Sequence, residues 1–191
     1  MKVIWGVCCA CLAGIWLACV GYTPKPRGYV RIEPAVAVYQ LCDLPELPFL
    51  FEVSQVAKVE LPEDQQVPSM VNLSYPSLHA KIYCSYLPIT QATFPEAEAE
   101  SRRLVYRLSA TSPDRIQEKA YAHPEVKVFG SLFLLEGNTA SPIQFLLTDS
   151  TTHFLRGALY FDCRPNTDSL APAIDYVQQD VIELMQTFRW R

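Results

Sequence analysis

The sequence predicts an α+β fold, a mostly antiparallel β-sheet flanked by helices, set behind an N-terminal export segment. Three observations carry this reading. Between Val126 and Cys163, apolar runs alternate with breaks of turn composition, the pattern of an antiparallel meander. Toward the C-terminus, Ile174, Val177, Val181, Leu184, Met185 and Phe188 recur at helical spacing. At the N-terminus, an uncharged apolar segment closes on a cysteine.

That segment runs from Val3 to Ala18, follows Lys2 and ends on Trp16-Leu17-Ala18-Cys19. The apolar run partitions into a bilayer, Lys2 stays on the cytoplasmic side, and small Ala18 fits a peptidase cutting before Cys19. Residues 1–18 therefore read as a lipoprotein signal peptide and Cys19 as the lipidation site, carrying acyl chains such as palmitate. Residues 19–34 read as a lipidated tether and 35–191 as a single periplasmic domain. Trp16 departs from the leucine usual at that position. An uncleaved anchor is the alternative, because Val3–Tyr22 approaches the ~20 residues that span a bilayer. Both put the rest of the chain outside the cytoplasmic membrane.

The 191 residues suit one domain with a sizeable core. With 16 basic against 20 acidic residues, the net charge is −4. No basic footprint suggests nucleic acid, and no lysine-arginine cluster would seek anionic lipid. Fifteen prolines against seven glycines, many of the prolines between Pro24 and Pro76, make that half extended and rich in loops. Outside the export segment and Cys19, the cysteines are Cys42, Cys84 and Cys163, an odd set that allows at most one internal disulfide and reads as buried thiols.

Gly21 to Pro34 (GYTPKPRGYVRIEP) reads as a polyproline-like tether entering a first strand, because Pro24 and Pro26 fix φ and disfavour helix in the preceding residue. Leu47–Val53 is a second strand, and Val56–Gln66 passes into a polar loop. Val71, Leu73 and Tyr75 alternate as one strand face; Ala80, Ile82, Cys84 and Tyr86 do so in the next. A helix starts at Thr93, placed three residues before Glu96 as in a capping box, with Pro95 in its first turn. Glu96, Glu98 and Glu100 precede Arg102, Arg103 and Arg107, an order that complements the helix dipole. Its apolar stripe is Ala97, Ser101, Leu104 and Leu108. A shorter helix is expected from Ser112-Pro113-Asp114 toward Ala122.

The meander strands are Val126–Leu135, Ile143–Leu147 and Phe154–Phe161, divided by turns at Glu136-Gly137-Asn138-Thr139 and Thr148-Asp149-Ser150-Thr151. The first is apolar on both sides, Val128, Leu132 and Leu134 against Phe129, Phe133 and Leu135, and so belongs inside a covered sheet. The final helix is capped by Asp168 or Ser169 with Pro172 in its first turn, and Asp175, Gln178, Gln179 and Asp180 supply its polar cover.

Chemistry was sought in the same residues. Asp149, Ser150 and His153 are nucleophile, acid and base types, but they share one turn whose composition suits local backbone bonding, and no glycine elbow flanks Ser150. His79, His123 and His153 lack metal-ligand spacing, and Gly137-Asn138 is a turn and not a phosphate loop. Arg156 stands in an apolar strand, where an unpaired guanidinium is costly to bury. It either pairs with Asp149 or Asp162 or is an exposed anchor for a partner. Arg27, in a tether with little core to support, reads as a contact to a membrane partner.

With these segments identified, the chain resembles the gliding motility-associated lipoprotein GldD family of the Bacteroidota. The resemblance rests on Tyr22-Thr23-Pro24-Lys25-Pro26-Arg27-Gly28-Tyr29 and more heavily on the block from Gly137-Asn138-Thr139-Ala140-Ser141 through Gln144-Phe145, Thr148-Asp149-Ser150 and His153–Phe161. Pro165-Asn166, Asp168–Pro172 and the closing Phe188-Arg189-Trp190 extend it. It covers most of the chain; Asp43–Pro68 adds little. It implies a membrane-attached lipoprotein needed for gliding and type IX secretion, with an integral-membrane partner bearing nucleotide-type regulatory domains. It supplies no catalytic residues. The order of strands and final helix also resembles the α-β-α sandwich of the photosystem PsbP type, an analogy of fold alone.

The resulting expectation is a non-enzymatic, lipid-anchored accessory protein without cofactor, metal, nucleic acid or small-molecule substrate. Arg27, Tyr29 and Arg156 are the candidate partner contacts. The alternative is a periplasmic hydrolase or small-ligand-binding module using the loops around Asp149 and His153. The near tether is basic (Lys25, Arg27), whereas surface-exposed lipoproteins of this phylum resemble one another in an acidic one. At about 3 Å per residue a polyproline stretch from Val20 to Arg27 holds the domain roughly 25 Å from its membrane. Periplasmic orientation follows; inner and outer membrane stay open, the family's partner favouring the inner.

Overall fold

The computed structural model describes residues 37–62, 70–108, 115–163 and 167–191, all within a compact unit that runs from Ile32 to Arg191. The export segment, Cys19, Arg27 and Tyr29 lie outside the described residues. In chain order the elements are β1 (Tyr39–Cys42), β2 (Phe49–Ser54), β3 (Lys58–Glu60), β4 (Met70–Tyr75), β5 (Ala80–Pro88), α1 (Phe94–Leu108), β6 (Ile116–His123), β7 (Val128–Leu135), β8 (Ile143–Thr148), β9 (His153–Phe161), α2 (Thr167–Thr187) and β10 (Arg189–Trp190).

A seven-stranded sheet has the order β3-β4-β5-β9-β8-β7-β6, with every neighbouring pair antiparallel. A three-stranded sheet, β1-β2-β10, is also antiparallel. Successive residues of a strand face opposite sides, so β7, β8 and β9 each contribute to two cores. On one side Ile82, Val128, Leu132, Phe145, Leu147, Leu155 and Leu159 pack with Val177, Val181, Leu184 and Met185 of α2 and with Phe49 and Phe51 of β2. On the other, Phe133, Leu135, Leu146 and Phe154 pack with Ile89 and with Val105 of α1. The expected α+β layering, helix on sheet on helix, is what the chain forms. The two-sided apolar strand is β7, whose Val128, Leu132 and Leu134 join the first core while Phe133 and Leu135 join the second.

Two hairpins use the same device. Tyr75 and His123 are each followed by a proline that opens a single 3-10 turn, and His79 (φ 48°) and Lys127 (φ 53°) then take left-handed backbone to reverse the chain.

Several expectations are corrected. The segment toward Ala122 is strand β6, not a helix. Its Gln, Glu, Lys and Ala favour helix locally, but pairing with β7 from Ile116↔Leu135 to His123↔Val128 decides its state. The Thr93 hydroxyl does not complete a capping box with Glu96: it turns back to Thr90, whose amide donates to it at 2.9 Å while the Thr90 hydroxyl accepts from the Thr93 amide at 3.2 Å. Helix α2 begins at Thr167, so Pro172 lies inside it rather than in its first turn. Asp180 is not polar cover but buried. Cys42 and Cys84 are buried free thiols, whereas Cys163 is free and exposed.

Candidate docking groove

Helix α1 covers only part of its side of the large sheet. It is fastened toward β6 and β7 by Arg102, whose Nη1 donates to both oxygens of Glu118 at 2.8 Å and whose Nε and Nη2 reach Glu98 at 3.3 Å. Ser131 donates to the same Glu118 at 2.7 Å, and the Arg102 guanidinium lies 5.5 Å from the Phe133 ring centre. Burial alone would raise the Glu118 pKa; the bonds from Ser131 and Arg102 outweigh it and hold the carboxyl below its ordinary value.

The opposite flank of α1 faces β5 and β9 across a hollow. Thr93, Glu96, Ala97, Glu100, Ser101 and Leu104 form one wall of a cavity of about 420 Å³, and Ser85, Leu87, Phe154 and Arg156 form its floor. Strand register continues that floor. Leu87 pairs with Phe154, Ser85 with Arg156, Tyr83 with Ala158 and Lys81 with Tyr160, all on the same face. The strip ends in a second hollow of about 670 Å³ lined by His79, Lys81, Tyr83, Tyr160 and Asp162. Along and beside it, Leu87 is 50 % exposed, Tyr83 42 % and Met70 38 %.

Arg156 has neither of the acidic partners expected for it. Its Nη2 donates to Gln144 Oε1 at 2.8 Å, and among the described residues no carboxylate forms an ion pair with it. Among the described residues, its Nε and the Gln144 amide nitrogen are buried without a partner. Burial lowers the Arg156 pKa from its ordinary value, opposed only by Tyr160. The guanidinium is thus a half-buried cation with more donors than acceptors around it.

The turn proposed as the alternative site is organised for structure. Asp149 Oδ1 accepts from the amides of Thr151, Thr152 and His153 at 2.9, 2.8 and 2.8 Å, and Oδ2 from the hydroxyls of Thr151 and Thr152 at 2.7 and 2.5 Å. Burial would raise its pKa, but these bonds hold the carboxyl well below the usual range. Ser150 takes left-handed backbone (φ 65°) at the tip. The His153 ring faces elsewhere: Nδ1 bonds the Tyr86 hydroxyl at 2.9 Å, and the ring stacks on Trp190 with centres 4.9 Å apart. Asp149 touches the backbone of His153, not its imidazole, so no acid–base–nucleophile relay is assembled.

A buried polar cluster lies in the first core, and the sequence did not disclose it. Asp180, 4 % exposed, accepts from the Tyr39 hydroxyl at 2.9 Å. Burial raises its pKa above the ordinary carboxylate value; the hydroxyls of Tyr39, Tyr75 and Ser54 oppose this without cancelling it. Among the described residues, no hydrogen bond reaches its Oδ2. Among the described residues, no three His, Cys, Asp or Glu side chains converge to hold a metal ion.

The family model for the gliding motility lipoprotein GldD matches residues 20–190. No curated protein matches the chain in sequence at a significant level. The crystal structure of the Ran-binding protein Mog1p of Saccharomyces cerevisiae is similar, with 10 % identity, covering 81 % of this chain and 96 % of that one at a TM-score of 0.50. The solution structure of cyanobacterial PsbP from Synechocystis sp. PCC 6803 has 10 % identity, covering 87 % of this chain and 100 % of that one at a TM-score of 0.45. At that identity the Mog1p likeness concerns the fold alone.

Proposed function

This chain belongs to the gliding motility lipoprotein GldD family, and on that premise we propose that it is a lipid-anchored, non-enzymatic accessory protein of gliding motility and type IX secretion that docks on a membrane-embedded partner. The family match over nearly the whole chain carries the reading. Cys19 would hold the lipid, residues 20–34 would tether the domain close to the bilayer, and the domain would face the periplasm. Arg27 and Tyr29 would meet the partner near the membrane. The groove beside α1 would meet it on the domain, because Arg156 is the half-buried cation there that lacks an acid of its own.

Attachment, orientation and docking can be tested together in cells producing the chain or Cys19→Ala. The parent should incorporate labelled fatty acid, resist protease in intact cells, be digested after permeabilisation, and retain an integral-membrane protein on affinity isolation from detergent extracts. Cys19→Ala should lose the label and the partner. Undiminished label on the variant sinks the lipid assignment, and digestion in intact cells sinks the periplasmic orientation.

A further inference from the structure

We infer that the groove between α1 and the β5/β9 strip receives an extended peptide segment of the partner, with a carboxylate side chain set on Arg156 between apolar residues. The inference rests on the docking reading and specifies the chemistry of its occupant. Arg156 offers several N–H donors in a fixed fork, and among the described residues only Nη2 has an acceptor, Gln144 Oε1. A carboxylate supplies paired acceptors and the missing negative charge in one group, and fork-to-fork pairing suits guanidinium best. Leu87 and Phe154 on one side of Arg156 and Leu104 above it give the flanking residues an apolar bed.

Length argues for a peptide. The strip from Leu87/Phe154 to Lys81/Tyr160 spans positions 81 to 87 of β5, roughly 20 Å at strand rise, enough for about six extended residues. Charge argues against phosphate and anionic lipid. Glu96 and Glu100 stand on the groove wall, Glu100 in an ion pair with Arg103, Lys81 at the far end is already paired with Glu60 at 2.9 Å, and the whole chain is at −4. A single carboxylate seated at Arg156 meets less repulsion from that rim than a dianion or a charged bilayer does.

The test uses Ser85, which is exposed, pairs with Arg156 across β5 and β9, and shares the groove floor with it. Directly opposed side chains of an antiparallel pair stand about 5 Å apart, so Ser85→Glu gives Arg156 an acid in cis and occupies the place of the partner's. In cells making the full chain, Leu87 is replaced by a photoreactive phenylalanine derivative, with Lys119 on β6 as the control position, and the captured segment is sequenced by mass spectrometry. The expected capture at position 87, absent at 119, is a protein segment containing Asp or Glu among apolar residues. Ser85→Glu should reduce it at least about tenfold while unfolding at the same temperature as the parent or higher. Arg156→Glu should also abolish capture, and changing the captured acid to Lys should restore it.

A captured segment without an acidic residue, capture indifferent to Ser85→Glu, or a lipid adduct overturns the inference. If position 87 captures nothing while affinity isolation still retrieves the membrane partner, the occupied groove is wrong and the docking reading survives. If neither captures a partner, both fail.

Discussion

Asp180 lies on α2 one turn from Val177 and one turn from Leu184, facing the first core among Tyr39, Tyr75, Ser54 and Tyr176. Its raised pKa means that the folded protein holds this proton more tightly than the unfolded chain does. Stability from this group is therefore full below the unfolded pKa of about 3.9 and declines as pH rises through the folded value. Asp180→Asn keeps an acceptor for Tyr39 and cannot ionise. Its unfolding midpoint should exceed the parent's at pH 7, with the gap closing toward pH 3; a lower midpoint at pH 7, or a gap independent of pH, would refute this account. Sequence reasoning assigned Asp180 to the surface because charged residues are seldom buried. Its place between Val177 and Leu184 on the stripe was the available signal. At Arg156 the sequence showed a cation in an apolar strand but not its partners. Gln144, an uncharged residue on the neighbouring strand, answers it instead of Asp149 or Asp162.

Among the elements, β8 and β9 are locked at one point by shape. Gly157 pairs with Phe145, and a Cβ added there would lie 2.2 Å from the Phe145 ring, itself 1 % exposed. Gly157→Ala should cost about 1–3 kcal/mol in urea denaturation, since a closed core takes extra atoms only by moving neighbours; a loss below about 0.5 kcal/mol would show that the ring can move aside. The meander around this pair was readable because apolar runs and the turn residues between them agree along it. Strand β6 was not, because its residues favour helix and only its partner β7 makes it a strand. The short strands β3 and β10 leave too few residues for a period to register, and a capping motif at Thr93 was correct in composition yet resolved by a different neighbour, Thr90.

At the scale of the whole molecule, the layers were legible from three apolar patterns, but the groove was not. Its residues come from β5 and α1, which follow each other, and from the distant β9, and no local pattern announces that α1 covers only part of a sheet face. The final residues join the two sheets: Phe188 stacks on Phe49 with centres 5.2 Å apart, and Trp190 pairs with Phe49 along β10 and stacks on His153 of the large sheet. The N-terminal side is fastened differently, and under the proposed tether that difference would be mechanical. Tension applied through residue 37 would reach the described body first at β1, an edge strand held by its ladder to β2, by the Gln55–Val38 bond and by the Tyr39–Asp180 bond. Strand β2 is gripped on its other edge by β10 and keeps Phe49 and Phe51 in the core when β1 is peeled away. Pulled through residue 37, the protein should therefore lengthen first by at most roughly 35 Å, the extended length of β1 and its following turn, before the main unfolding event. A single rupture without that step would mean that β1 and the core fail together. The edge strand would then act as a fuse, yielding under load from the N-terminal side while the groove beside α1 stays intact.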